Sequence, residues 1–205
     1  MLVHYTNYNK ITFLSNNHSE FAYIPILKNA HTFGSHFFNL VDNYHEIENF
    51  RDKKYIVFLR DPFKRWYSAV TQWFYSQEVN ENYEIDPITL KLIFSAVCLD
   101  SHGDLQIKYL NGLSLSRCVF FNTDDDNFEY NLFHFVKHVL KKDLPKDPIQ
   151  DYNIGTINPV KNNIRTQLKL AIDKNPKYYN NIKHFYMPDL KLLRTVNFYD
   201  PRNTN

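Results

Sequence analysis

Two runs, "FAYIPIL" (21–27) and "KYIVFLR" (54–60), are short, continuously apolar and rich in β-branched and aromatic residues, and each leads into a helical pattern. Runs of that kind predict strands buried on both faces, as in a parallel sheet. "RCVFFN" (117–122) is a third, and "KITFL" (10–14) predicts an additional edge or hairpin strand, with "SNNHSE" as its turn. Phe33, Phe37, Leu40 and Val41 recur at helical spacing and predict a helix over about 32–43. A second helix is marked by Asp61 as cap and Pro62 at its first position. Its apolar face is Phe63, Trp66, Tyr67, Val70, Trp73 and Phe74, with Lys64, Arg65, Ser68 and Gln72 opposite. Further helices are expected near 87–99, 103–111, 127–142, 161–174 and 176–193. This alternation implies an α/β fold: one domain over residues 1–205, a central, mostly parallel β-sheet flanked by helices, and a ligand at the carboxyl ends of the strands. The Asn-rich tail after about residue 200 reads as frayed.

A hydrophobic share of 43% and an aromatic share of 17% can fill a core in a 205-residue chain, which excludes global disorder. A net charge of +2 argues against a general nucleic-acid binder, since backbone affinity needs a concentrated basic excess. A local basic pocket for one small polyanion remains compatible with it. Cys98 and Cys118 are the only cysteines, so a reducing compartment is the simpler reading. "MLVHYTNYNK" carries no apolar signal region and no stretch approaches 18 apolar residues, so a cytoplasmic protein with no membrane span is expected.

Candidate chemistry gathers behind the first two long strands. In "PILKNAHTF" a lysine, Lys28, precedes the turn Asn29, Ala30, His31 and Thr32 into a helix, whose free amides and dipole favour an anion. Thr32 adds a hydroxyl, and the small Ala30 lets a ligand approach the backbone. "LRDPFKRWYSAV" (59–70) places Arg60 at the next strand end, where it can hold a phosphate bidentately, and Ser68 on the polar face of the following helix. Two anion sites at neighbouring strand ends imply a ligand with two phosphate-like ends.

The pairing of "PILKNAHTF" with "RDPFKRWYSAV" resembles the 5′-phosphosulfate loop and 3′-phosphate motif of sulfotransferases that use 3′-phosphoadenosine 5′-phosphosulfate (PAPS). The likeness continues in "DSHGDLQIKYL" (100–110), similar to the His-and-Gln segment of the carbohydrate-type branch. It runs on through "INPVKNN" (157–163) and "IKHFYMPDLKLL" (182–193), similar to the family's Asn-containing loop and closing Tyr-x-x-Asp helix. Leu27 stands where the family usually has proline, and His31 where it has Ser or Thr. The resemblance implies a P-loop-like domain, PAPS as cofactor with 3′-phosphoadenosine 5′-phosphate (PAP) as product, no metal, and a carbohydrate hydroxyl as acceptor. It further implies that Lys28 stabilises the leaving group, Asn29, Ala30, His31 and Thr32 cradle the 5′-phosphate, Arg60 and Ser68 bind the 3′-phosphate, and Lys161 closes over that end. His102 is the first choice of general base, with His36, His45 and Glu46 as competitors.

Other patterns are weaker. His134 and His138 are four apart, as a metal pair would be, but a solvated helix face explains them with less. The run Asp124, Asp125 and Asp126 reads as N-capping of the next helix. Tyr75, Tyr83, Tyr178 and Tyr179 are candidates for a sugar cleft against a plainer reading as core or surface. Two rival functions remain: a P-loop kinase or nucleotide hydrolase, which requires a magnesium-binding Asp at a second strand end, and a non-catalytic nucleotide- or glycan-binding module.

Overall fold

The computed structural model describes residues 12–48, 51–145 and 158–203. Lys10 and Ile11 of the expected first strand, and Ile157 of the Asn-containing loop, lie outside the described residues. In chain order come β1 (Phe13–Ser15), β2 (Phe21–Ile24), α1 (His31–Asp42), β3 (His45–Ile47), β4 (Lys54–Leu59), α2 (Pro62–Ser76), α3 (Pro87–Ala96), β5 (Cys118–Asn122) and α4 (Phe128–Phe135). α4 runs into a π-helical turn, Val136–Leu140, and α5 (Pro159–Lys174), α6 (Pro176–Phe185) and α7 (Met187–Thr195) follow. No helix among the described residues is long and apolar enough to cross a membrane.

The fold is α/β, with a five-stranded sheet in the order β3-β1-β2-β4-β5. β2, β4 and β5 are parallel, in the register Ile24↔Val57 and Leu59↔Asn122. β1 pairs antiparallel with both β2 and β3, so the sheet is mixed where a mostly parallel one was expected. The difference comes from β3, whose "HEI" has no apolar run to announce it, and whose His45 and Glu46 are exposed. The expected hairpin turn is present: Asn16 Oδ1 accepts from the amides of His18 (2.9 Å) and Ser19 (2.6 Å).

Two compact units make up the described chain. One contains the sheet and is drawn from residues before Asp61, residues 106–145 and residues from 193 onward; the other is helical, drawn from residues 61–105 and 158–192. In the sheet unit, Phe21 and Tyr23 of β2, Ile56 and Phe58 of β4 and Phe121 of β5 form a core with Phe37 and Phe38 of α1 and Leu132, Phe135 and Val136 of the α4 segment. Phe38 takes the buried place expected of Leu40, which is 48% exposed. α1 can approach the sheet because Gly34 faces it: a Cβ there would overlap the Tyr23 ring and stand 2.9 Å from Cε2 of Phe58. The glycine that lowers local helix propensity is therefore required by a close approach. The Tyr23 hydroxyl under it is buried and has no hydrogen-bond partner among the described residues. Burial alone drives its pKa upward.

In the helical unit, Trp66, Val70 and Phe74 of α2 pack with Ile93 and Phe94 of α3, Ile164 and Leu168 of α5 and Ile182 of α6. Caps explain where these helices start: Asp61 accepts from the Lys64 amide, Asp86 from Ile88 and Thr89, Asn158 from Lys161 and Asn175 from Lys177. Arg65, expected on the polar face of α2, is instead fully buried and donates to the carbonyl of Asp104. A charge removed from water needs partners. Asp104 and Asp189 are buried, and their charges, with that of Arg65, act on the Tyr186 hydroxyl, which donates to the Gly103 carbonyl. The Tyr-x-x-Asp pair thus packs inside this unit.

Two expected helices are broken. Residues 103–111 form 3₁₀ turns at Ser101–Gly103 and Gln106–Leu110, because Asp104 is extended (ψ 163°). The segment 176–193 breaks at Tyr186 between α6 and α7, two residues before Pro188, which lacks the amide proton a continuous helix would direct to the carbonyl four residues earlier.

Two substitutions test the packing of α1. Gly34→Ala is expected to destabilise by about 1–3 kcal/mol through overpacking, and Tyr23→Phe to stabilise by about 1 kcal/mol by removing an unpartnered buried hydroxyl. Urea midpoints read both, and a neutral Gly34→Ala would refute the close contact.

Candidate anion-binding site

β2 is buried throughout and stops at Ile24, after which Pro25 starts the descent into the turn. Lys28 (φ 64°) and Ala30 (φ 54°) both adopt left-handed backbone, with Asn29 between them. For residues with a Cβ that conformation costs about 1–2 kcal/mol each and persists only where the surroundings impose it. Alternation of left-handed with ordinary residues turns backbone amides into a concavity for an anion. Ala30 is the N-cap of α1 and contributes no side-chain hydrogen bond, and the first turn carries no acidic residue. His31 and Thr32 are the first residues of the helix, half-buried and exposed respectively.

The conformation is imposed by Asn29. Fully buried, it donates through Nδ2 to the Phe58 carbonyl (2.8 Å) and to Oε1 of Gln106. The same Gln106 oxygen accepts from the Arg60 amide (3.0 Å), and Gln106 Nε2 donates to the Arg60 carbonyl (2.9 Å). One side-chain amide thereby extends the ladder past the end of β4 and ties it to the Lys28–Ala30 turn. Asn29 Oδ1 is buried with no partner among the described residues.

Arg60 sits one residue beyond β4. Its Nη1 donates to the Lys28 carbonyl (3.2 Å), and its Nε lies 3.5 Å from Oδ1 of Asp124. Asp124 does not cap a helix as expected. β5 ends at Asn122, whose Oδ1 accepts from the Asp124 amide (3.0 Å) and turns the chain there, so the carboxylate meets Arg60. The N-cap of α4 is Asn127, whose side chain makes no capping bond, while Asp125 accepts from the Asn127 amide (2.9 Å). The carboxyl ends of β2, β4 and β5 thus gather Lys28, Arg60 and Asp124 around a brace made by Asn29 and Gln106.

Ser68, His102 and Lys161 belong to the helical unit. Ser68 is half-buried on α2. Lys161 is engaged on α5: its Nζ donates to Oε1 of Gln72 (3.1 Å) and lies over the Tyr75 ring at 4.8 Å. Burial first, and then the Arg165 charge, lower its pKa. His102 pairs with Asp100: its Nδ1 is 3.2 Å from Oδ2, and its amide donates to Oδ1 (2.8 Å). Burial opposes ionisation of Asp100, but the His102 hydrogen bond and charge, with the His102 and Gly103 amides, outweigh it and hold the carboxyl below its usual value. A carboxylate on Nδ1 orients the ring and leaves Nε2 for proton transfer.

Among the competing bases, His36 is half-buried on α1, while His45 and Glu46 lie on the edge strand β3, separated from β2 by β1. The remaining patterns are packed locally. His134 Nδ1 pairs with the Tyr199 hydroxyl (2.9 Å), and its ring is 4.3 Å from that of His138. Tyr178 stacks on Phe94, Tyr179 on Phe63, and Tyr83 packs on Phe74. Among the described residues no three His, Cys, Asp or Glu side chains are grouped to hold a metal ion.

No family model, curated protein or solved structure matches the chain. Sequence reasoning missed the brace and the ion pair. Gln106 stood in the quoted His-and-Gln segment, and its nearness to Asn29, 77 residues away, is a tertiary fact. Gln106→Leu leaves buried groups of Asn29 and Arg60 unpaired and is expected to destabilise by about 2–4 kcal/mol. Chemical denaturation measures it; a loss below about 0.5 kcal/mol would contradict the brace.

Proposed function

We propose that the protein is a PAPS-dependent sulfotransferase with a P-loop-like sheet unit, acting on a hydroxyl, with a carbohydrate as the acceptor class. The observation that supports this best is the pairing, at adjacent parallel strand ends, of a lysine-bearing turn that opens an uncapped helix with an arginine bonded to that turn's backbone. Such a pairing suits a ligand with two anionic ends. Within the sheet unit the residues present fit that cofactor: Lys28, the first amides of α1 and the small Ala30 for the 5′ end, and Arg60 for the 3′-phosphate. His31 lacks the family's hydroxyl, and the backbone amides carry more of the cradle.

When bound, the cofactor supplies the activated sulfuryl group. Lys28 places positive charge where negative charge grows on the bridging oxygen, so that catalysis comes mainly from positioning and electrostatics. His102, held by Asp100, accepts the acceptor hydroxyl's proton at Nε2. A magnesium-dependent kinase or hydrolase draws less support, because Asp61, at the second strand end, serves as the cap of α2.

Calorimetric titration with PAP, using 5′-AMP as control, tests the cofactor. Binding that needs the 3′-phosphate, persists in EDTA and weakens by about 2–3 kcal/mol, roughly 30- to 150-fold, in Arg60→Ala is the expected result. Indifference to the 3′-phosphate would remove the sulfotransferase reading. For transfer, His102→Ala is expected to lower the rate by about 10²–10⁴-fold. Asp100→Asn should shift the acidic limb of the pH–rate profile, the limb on which a general base must be free of its proton, whereas a purely structural Asp100 would leave the profile in place.

A further inference from the structure

The Arg60–Asp124 pair bears on how the strand-end site takes its ligand. Arg60 is the cation that a terminal phosphate would engage, yet its guanidinium already faces an internal carboxylate at 3.5 Å. Both side chains are mostly shielded, at 28% and 15% exposure. In partly buried surroundings an ion pair is screened far less than at a free surface. The Arg60 backbone is clamped by Gln106, so an incoming anion cannot draw the arginine's main chain away. The Asp124 backbone is held by a short turn, with the Asn122 Oδ1 bond to its amide and the Thr123 amide and hydroxyl both on the Leu59 carbonyl (2.9 and 3.2 Å). With both backbones held, a change in this pair on ligand entry is a change of side chains.

We propose that Asp124 is a built-in counter-anion of the strand-end site: its carboxylate holds Arg60 in place in the free protein, and a ligand phosphate binds by displacing it. This rests on the reading of Arg60 as a phosphate ligand and adds what sets its affinity. A phosphate at Arg60 recovers the cationic partner that Asp124 gives up, but the displaced carboxylate stays nearby and repels it. Affinity for phosphate-bearing ligands is thus set below what the cations alone would provide, which eases release of a doubly phosphorylated product.

Asp124→Asn keeps the shape and removes the charge; Asp124→Ser is the second variant, and thermal melts establish that each is folded. Both are titrated with inorganic pyrophosphate and with PAP, in the wild-type and Arg60→Ala backgrounds. The expected result is binding tighter by about tenfold for both ligands in the Asp124 variants, with the gain absent when Arg60 is alanine. A gain for pyrophosphate without PAP binding would keep the counter-anion and remove the sulfotransferase reading. Arg60-dependent PAP binding with no gain in either variant would do the reverse. Weaker binding in the variants would make Asp124 a support for Arg60 and overturn the proposal, as would a gain that survives in Arg60→Ala.

Discussion

The carboxamide of Gln106 is the interaction on which the strand-end site depends. It takes the place of a neighbouring strand at Arg60, accepting from the amide and donating to the carbonyl, and its oxygen also receives Asn29. A buried carboxamide in such a position costs several kcal/mol unless its groups are paired, and this one is paired to backbone just beyond β4 and to the turn after β2. The left-handed residues Lys28 and Ala30 are tolerable because the residue between them is held in this way. Gln106 is thus both a structural brace and the element that fixes how a lysine-bearing turn meets an arginine.

Tyr23 and Gly34 set a second constraint, the depth at which α1 lies on the sheet. With any larger residue at position 34 the helix would ride higher, and its first turn would leave the place where Lys28 delivers it. The cost is a buried hydroxyl beneath the helix with no partner among the described residues. Two left-handed non-glycine residues, Lys28 and Ala30, share one turn, and the buried oxygens of Tyr23 and Asn29 have no partner among the described residues; Asn43, Glu78, Val97 and Lys141 are left-handed elsewhere in the chain.

Electrostatics at the strand ends are balanced within the chain. Arg60 meets Asp124, and in the helical unit Arg65 is buried among Asp104, Asp189 and Tyr186, and His102 is paired with Asp100. The near-neutral net charge therefore coexists with local cations whose partners lie within the fold. Displacing an internal carboxylate by a ligand phosphate is a natural use of such a balance, since the site is held in shape before the ligand arrives.

The amino-acid sequence by itself determined the elements with strong local signals. The apolar runs at 21–27, 54–60 and 117–122 became β2, β4 and β5, and Asp61 followed by Pro62 began α2, because burial on both faces and cap chemistry are written in adjacent residues. The turn after β2 and the arginine after β4 were legible for the same reason. β3 was not, since three residues at an exposed edge carry no periodicity, and Arg65 was misplaced because its buried carbonyl partner is 39 residues away. Only the tertiary structure decided that Gln106 braces Asn29 and Arg60, and that Asp124 answers Arg60 rather than capping α4. Those contacts span 46 to 77 residues, or join the ends of separate strands, and are set by which strands neighbour one another in the sheet, a pairing that no local pattern encodes.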